Sequence, residues 1–241
     1  MKAKHFFLIV AAILVVVSVQ GVGQAEIYSL KFNVFTNNQI YNGAAQQRIE
    51  FQVYLDDTAG QPPDVLKSPG GLVVTAPDGS TFDMSENCWV EWGGYFFTWK
   101  FNTDFINQNQ IIPSGTYKLR AEDKNGKVLS TSDAVTVAFL DIPNVSVPAN
   151  NATLTTLTPK LVWTKITGAS HYRIYLFNES WKEPVYSNMY HVLHTNNNYF
   201  NVPKGVLLPG GIKYSLRIEA RDNDKNLSRR SRGGWVTFYT P

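Results

Sequence analysis

The sequence has almost no cysteine: Cys88 is the only one among 241 residues. A single cysteine excludes a disulfide within the chain. Cys88 stands in an aromatic stretch with no histidine close to it in the sequence. This setting favours a small buried residue over a catalytic nucleophile.

Histidine is also scarce, with four residues, and the common catalytic motifs are missing. There is no His-Glu-x-x-His, no Gly-x-Ser-x-Gly and no glycine-rich phosphate loop. His191 and His194 are three residues apart, so a strand would place them on opposite faces, which argues against a shared zinc ion. Glu86 and Glu91 could in principle act on glycosides, but nothing in their spacing singles them out. We therefore predict a protein that is not an enzyme and has no metal site and no cofactor.

Long hydrophobic runs are missing except at the N-terminus. Lys2 and Lys4 precede a fourteen-residue apolar run, residues 6–19, which is shorter than a membrane-spanning helix. Residues 23–25, Gly-Gln-Ala, have the small side chains of a signal-peptidase site, so we interpret residues 1–25 as a signal peptide. An uncleaved anchor is the alternative. The prediction is an exported protein, in a periplasm, at a cell surface or outside the cell, with no membrane span in the mature chain.

Neither sign of charge dominates the mature chain. Removal of residues 1–25 lowers the basic residues from 22 to 20, against 19 acidic ones. A nearly neutral chain gives no electrostatic reason to expect nucleic-acid binding. An exported protein without disulfides favours a bacterial export route, or domains large enough to be stable without cross-links.

The apolar residues alternate as in β-strands, and no stretch of the mature chain predicts a helix of ten residues. In residues 48–55, for example, Ile49, Phe51, Val53 and Leu55 share one face. Other strands are predicted at residues 27–35, 72–75, 117–121 and 134–139. Residues 26–141 are thus predicted to form one β-sandwich. Its segment Ser114–Val128 (SGTYKLRAEDKNGKV) resembles the last hairpin of bacterial immunoglobulin-like domains.

The stretch Leu161–Leu176 (LVWTKITGASHYRIYL) indicates two strands joined by a polar turn, with Trp163 in the first strand. A later stretch, Leu207–Ala220 (LLPGGIKYSLRIEA), combines a Leu-x-Pro-Gly turn with Tyr214 at a strand start. Together these motifs resemble a fibronectin type III domain over residues 143–241. The resemblance implies a β-sandwich and is nearly silent on function. Its strands are predicted at residues 160–164, 171–177, 185–190, 199–202, 213–221 and 234–239.

The predicted fold class is therefore all-β, with two tandem sandwiches after the signal peptide. The immunoglobulin-like sandwich covers residues 26–141, a linker with two prolines covers residues 142–148, and the fibronectin type III-like sandwich covers residues 149–241.

The aromatic segment Cys88–Phe101 (CWVEWGGYFFTWKF) is one candidate binding site. Trp89, Trp92 and Tyr95 could form a platform on which sugar rings stack. The alternative is that the segment supplies large side chains to the sandwich core, which is the favoured interpretation for Phe97 and Trp99.

Basic residues near the end of the second domain form another candidate. Arg229, Arg230 and Arg232 would contact an anionic partner there, or simply lie in a solvated loop. The neighbouring residues 222–226 alternate oxygen-bearing side chains as a calcium loop does, but a complete calcium-binding motif is missing.

The predicted function is an exported, non-catalytic binding or structural module of the cell envelope or extracellular space, engaging a protein or polysaccharide partner. The alternative is a carbohydrate-binding protein that uses the aromatic platform of the first domain. A glycan-active enzyme is the less favoured alternative.

Overall fold

The computed structural model describes residues 27–57, 70–84, 89–91, 96–100, 112–122, 126–179, 190–223 and 227–241. In these ranges the chain is all-β and contains no helix, and so none that is long and apolar enough to cross a membrane. The strands are β1 (Ile27–Tyr41), β2 (Ala44–Asp57), β3 (Leu72–Thr75), β4 (Thr81–Asp83), β5 (Trp89–Glu91), β6 (Phe96–Lys100), β7 (Gly115–Glu122), β8 (Val128–Val135), β9 (Val145–Val147), β10 (Ala152–Thr153), β11 (Lys160–Trp163), β12 (His171–Asn178), β13 (Tyr190–Thr195), β14 (Tyr199–Asn201), β15 (Lys213–Arg221), β16 (Arg229–Arg232) and β17 (Val236–Tyr239).

In the first sandwich, β1 and β2 of the sheet that continues to β6 and β5 pack against a sheet of order β4-β3-β7-β8. Its longest element is the hairpin of β1 and β2, which turns at Asn42 and Gly43 with φ values of 49° and 80°. Two successive positive φ values are what a two-residue hairpin turn requires, and Asn-Gly adopts them readily. The core lies between the two sheets, where Phe51 contacts Tyr117 with ring centroids 5.5 Å apart.

In the second sandwich, a sheet of order β14-β11-β9 packs against β12, β13, β15 and β17. Trp163 is buried and meets Tyr172 edge-on, with ring centroids 5.4 Å apart. Tyr214 is also buried, and its hydroxyl accepts a hydrogen bond from the Leu208 backbone N–H at 3.1 Å. That bond ties the Leu-x-Pro-Gly turn to the strand that follows it.

The two sandwiches share one sheet of ten strands. Along one edge of β15, residues 213–216 pair with β17 and residues 219–221 pair with β16. The other edge of β16 pairs in parallel with β1 of the first sandwich. A strand of the second sandwich therefore continues directly into the sheet of the first.

Most of the strands predicted from the sequence coincide with strands of the structure. The strands 72–75 and 213–221 have the predicted bounds, and the strand predicted over 48–55 is longer, as β2. The strand predicted at 134–139 is wrong in position: β8 ends at Val135, and Val137 and Phe139 pack against the core beyond it without pairing.

Two segments expected to lack strands contain them. The predicted linker 142–148 includes β9. This strand pairs with β11, and Val147 lies in register with Val162. The basic segment expected as a loop forms β16, because its backbone is held between β15 and β1. The boundaries predicted for the two domains remain a prediction.

Candidate functional site

The contact between the two sandwiches is the most distinctive polar region of the described residues. We call it the junction: residues 36–39 of β1 and residues 229–232 of β16, paired in parallel. The Thr36 N–H donates to the Ser228 carbonyl oxygen at 3.0 Å, and the Thr36 hydroxyl donates to the Ala138 carbonyl oxygen at 2.5 Å. Side chains alternate along β1, so Val34 reaches the core while Phe35, Asn37 and Gln39 lie on the opposite face.

This opposite face is also buried, although it is polar. Asn37 and Glu50 are fully buried and Arg230 is 3% exposed. Arg230 of the second sandwich forms an ion pair with the Glu50 carboxylate of the first. Asn37 Nδ2 donates to Glu50 Oε1 at 2.8 Å, and the Arg230 guanidinium lies 4.7 Å from the centroid of the Phe35 ring. A buried ion pair needs such additional partners, because both charges have lost their hydration.

Glu219 is the centre of the polar contacts on the second sandwich. Arg232 Nε donates to its carboxylate at 2.6 Å, Arg221 Nε lies 3.1 Å from it, and Arg230 Nη1 lies 3.8 Å from it. The Tyr175 hydroxyl donates to the same group at 3.2 Å. Burial alone would raise the pKa of Glu219, but Arg232, Arg230 and Arg221 together lower it to about 2. Glu219 therefore stays ionised and joins three guanidinium groups, one of which crosses to the first sandwich.

Two exposed aromatic side chains stand beside the junction. Trp235 follows β16 and is 46% exposed; the Arg217 guanidinium carbon lies 5.6 Å from its ring centroid. Tyr41 ends β1 and is 52% exposed; the Arg48 guanidinium carbon lies 5.6 Å from its ring centroid. Both distances are within the range of cation–π contacts. We call Tyr41 and Trp235 the rim.

Contacts of Arg217 and Gly234 bring the two parts of the rim to the same place. Arg217 Nε donates to the Gly233 carbonyl oxygen at 3.0 Å, and Arg217 Nη2 donates to the Ile40 carbonyl oxygen at 3.5 Å. A Cβ on Gly234 would lie 3.8 Å from the Ile40 side chain. The rim thus combines a residue of the first sandwich with one of the second.

The three arginines predicted to contact an anionic partner all lie in β16. Arg229 Nε donates to Asp222 Oδ2 at 3.2 Å, Arg230 pairs with Glu50 and Arg232 pairs with Glu219. Each guanidinium therefore has a carboxylate partner inside the protein, and Arg230 is buried. An anionic partner at these residues remains a prediction.

The predicted aromatic platform lies largely outside the described residues. The backbone of Trp89 belongs to β5, where it pairs with Thr98 of β6 at one end of the shared sheet. The Trp89 side chain, Trp92 and Tyr95 lie outside what the structure describes. Asp222, at the start of the calcium-like segment, accepts hydrogen bonds from the backbone N–H groups of Ser228 and Arg229 at 3.1 and 3.0 Å.

The sequence interpretation missed both parts of the rim and the polar face behind it. One signal was available for Tyr41, because Asn42-Gly43 between alternating residues predicts a hairpin and would have placed Tyr41 at its end. A second signal lay in β15, where Arg217, Glu219 and Arg221 alternate with the core residues Leu216, Ile218 and Ala220.

Comparison with known proteins gives a fold likeness only. No protein-family model and no curated protein sequence matches the chain. Similar solved structures include the FN1–FN3 domains of chicken CNTN1 (10% identity, TM-score 0.27), dimeric latent PorU from Porphyromonas gingivalis (10%, 0.31) and the titin Ig tandem domains A164–A165 (11%, 0.24). The alignments cover 90% of this chain in each case and 64%, 20% and 98% of those chains, respectively. The chain thus spans less than two thirds of the length of the first two.

Proposed function

We propose that the chain is an exported, non-catalytic binding module that engages a protein or polysaccharide partner through the rim at its junction. The observation that carries this proposal is Trp235, a large aromatic side chain that is 46% exposed beside the contact between the two sandwiches. An exposed tryptophan is a common feature of binding surfaces, because its burial by a partner removes a large apolar area from water.

The setting of the rim supports a role in binding. A guanidinium group lies over each of the two rings, which limits the rotamers of the aromatic side chain before a partner arrives. Such preorganisation lowers the entropic cost of binding. Asn42, the exposed polar residue that follows Tyr41, can supply hydrogen bonds around the apolar rings.

The rim also needs both sandwiches to be in place. Tyr41 belongs to β1 and Trp235 follows β16, and the parallel pairing of these two strands holds them together. A binding surface built in this way explains why the junction is fixed by hydrogen bonds and ion pairs instead of a flexible linker. Export is supported by the N-terminal signal of the sequence.

The test uses retention of the purified protein on a panel of insoluble and gel-embedded polysaccharides. We expect retention on at least one glycan, and loss of it in the variant Trp235→Ala. Tyr199→Ala is the matched control, because Tyr199 is also exposed (38%) and also contacts a cation, Lys160 Nζ at 4.3 Å, but lies on β14 of the other sheet.

The outcomes separate the versions of this proposal. Retention that is lost in Trp235→Ala and kept in Tyr199→Ala supports a glycan site at the rim. Without retention on any glycan, the protein-partner version of the proposal remains, and it requires that crosslinking to a protein on cells depend on Trp235 in the same way. A partner that binds wild type and Trp235→Ala equally well contradicts the role of the rim. The variant Trp92→Ala in the same assay tests the alternative platform of Trp89, Trp92 and Tyr95.

A further inference from the structure

Two histidines meet on the face of the shared sheet that lies away from the core of the second sandwich. Arg173 of β12 pairs in register with His194 of β13, and His171 lies two residues before Arg173. Because side chains alternate along a strand, His171 and His194 point to the same face. His171 Nε2 lies 2.9 Å from His194 Nδ1, and the ring centroids are 5.2 Å apart.

The hydrogen bond on the far side of His171 fixes its tautomer. His171 Nδ1 lies 3.1 Å from Asn196 Oδ1. An amide oxygen only accepts hydrogen bonds, so His171 Nδ1 carries the hydrogen in the neutral ring. The lone pair is then on Nε2, the nitrogen that faces His194.

The distance between the two facing nitrogens matches a pair of metal ligands. Imidazole nitrogens bind Zn²⁺ or Cu²⁺ at about 2.0–2.1 Å, and two of them at a right angle are then about 2.9 Å apart. Asn196 takes the place of the outer hydrogen-bond acceptor that usually orients a metal-bound histidine. His194 and Asn196 are exposed, so an ion can enter from solvent and retain water ligands.

The charged neighbours of the pair affect which ion it favours. Arg173 lies opposite His194, and Arg221 lies opposite His171 on β15. Both are positive, although Glu219 pairs in register with Arg173 and lies 3.1 Å from Arg221 Nε. In the part of the chain that the structure describes, no group of three metal-ligating side chains forms, so the described residues supply two protein ligands. Repulsion by the arginines and a two-residue site favour the ion that binds imidazole most strongly, which is Cu²⁺.

We propose that His171 and His194 form a surface site for a borderline divalent cation, Cu²⁺ before Zn²⁺ or Ni²⁺. The site is independent of the rim and of any glycan or protein partner, because it lies on β12 and β13 at another part of the sheet.

The test is a titration of the purified protein, prepared without a polyhistidine tag, with Cu²⁺ salts followed by calorimetry and electron paramagnetic resonance. We expect one Cu²⁺ per chain and a spectrum with nitrogen hyperfine splitting. His171→Asn and His194→Gln should each weaken binding by at least about tenfold, because each removes one of two imidazole ligands. Asn196→Ala should weaken it less, because it removes an orienting contact only.

The control is His191→Gln, which removes a histidine from the same strand at a backbone position that pairs with Leu176 and not with Arg173. It should leave Cu²⁺ affinity unchanged. Circular dichroism of each variant checks that the fold is retained, and His194→Asn provides a second variant if His194→Gln unfolds. The proposal is overturned if wild type binds no Cu²⁺ at one equivalent, or if folded His171→Asn and His194→Gln bind it as tightly as wild type does.

Discussion

At the scale of single residues, Arg230 is the side chain on which the junction depends most. Its guanidinium group pairs with Glu50 of the other sandwich, and both groups are buried. We expect Arg230→Ala to lower the free energy of unfolding by about 3–5 kcal/mol, because the Glu50 carboxylate then remains charged in a buried position. Chemical denaturation, followed by tryptophan fluorescence, measures this loss.

An exposed ion pair is the matched control for Arg230. Arg120 pairs with Glu122 in the first sandwich, with side chains 46% and 39% exposed. Arg120→Ala should change the free energy of unfolding by less than about 1 kcal/mol, because solvent screens such a pair. Equal losses of unfolding free energy in Arg230→Ala and Arg120→Ala would show that the buried ion pair contributes no more to stability than the exposed one.

Glu219 gives a prediction about pH. Its pKa in the folded protein is about 2, below the ordinary value of 4.5, so its ionised form stabilises the fold. This contribution is fully present above about pH 4.5 and disappears as the pH falls towards 2; it amounts to about 3 kcal/mol. We expect the free energy of unfolding of wild type to fall more steeply between pH 5 and pH 3 than that of Glu219→Gln. Parallel pH profiles for the two proteins would contradict this assignment.

At the scale of elements, the segment between β16 and β17 depends on two adjacent glycines. A Cβ on Gly233 would lie 2.5 Å from the Pro143 carbonyl oxygen, whereas a Cβ on Gly234 would meet nothing closer than 3.8 Å. Gly233→Ala should therefore destabilise the fold by about 1–3 kcal/mol, as overpacking against backbone does. Gly234→Ala, the neighbouring control, should have an effect of less than about 1 kcal/mol. Thermal unfolding of both variants measures the difference, and similar melting temperatures would contradict the close approach to Pro143.

The local sequence pattern predicted those strands whose two faces differ clearly in polarity. β15 alternates strictly and was predicted with its full bounds, because its apolar face covers the core of the second sandwich. β16 was predicted as a loop, because its sequence Arg-Arg-Ser-Arg has no apolar face. Its strand conformation results from backbone pairing with two neighbours, of which β1 is distant in the sequence.

At the scale of the whole molecule, the shared sheet should make the two sandwiches unfold together. We expect calorimetry to record a single transition for wild type, because separation of the sandwiches would expose the buried Glu50–Arg230 pair and four paired residues of β1. Arg230→Ala should weaken this coupling and broaden or split the transition, while Arg120→Ala should not. Two well-separated transitions in wild type would show that the sandwiches are thermodynamically independent.

Contacts between distant parts of the chain limit what the sequence could predict about the whole molecule. The fold class follows from strand alternation and from motifs around Trp163 and Tyr214, which are local. The junction does not, because Glu50 and Arg230 are separated by 180 residues. Nothing in the local pattern around either residue specifies the other as its partner, and the rim was missed for the same reason.

The parallel direction of β1 and β16 determines how the protein responds to mechanical load. When the chain is pulled from its two ends, the force reaches β1 at its N-terminal end and, through β17, reaches β16 at its C-terminal end. Because the two strands run in parallel, these forces slide one strand along the other. The hydrogen bonds along residues 36–39 then carry the force together instead of opening one by one. We therefore expect the junction to resist sliding of β1 along β16 more strongly than it resists peeling of the two strands.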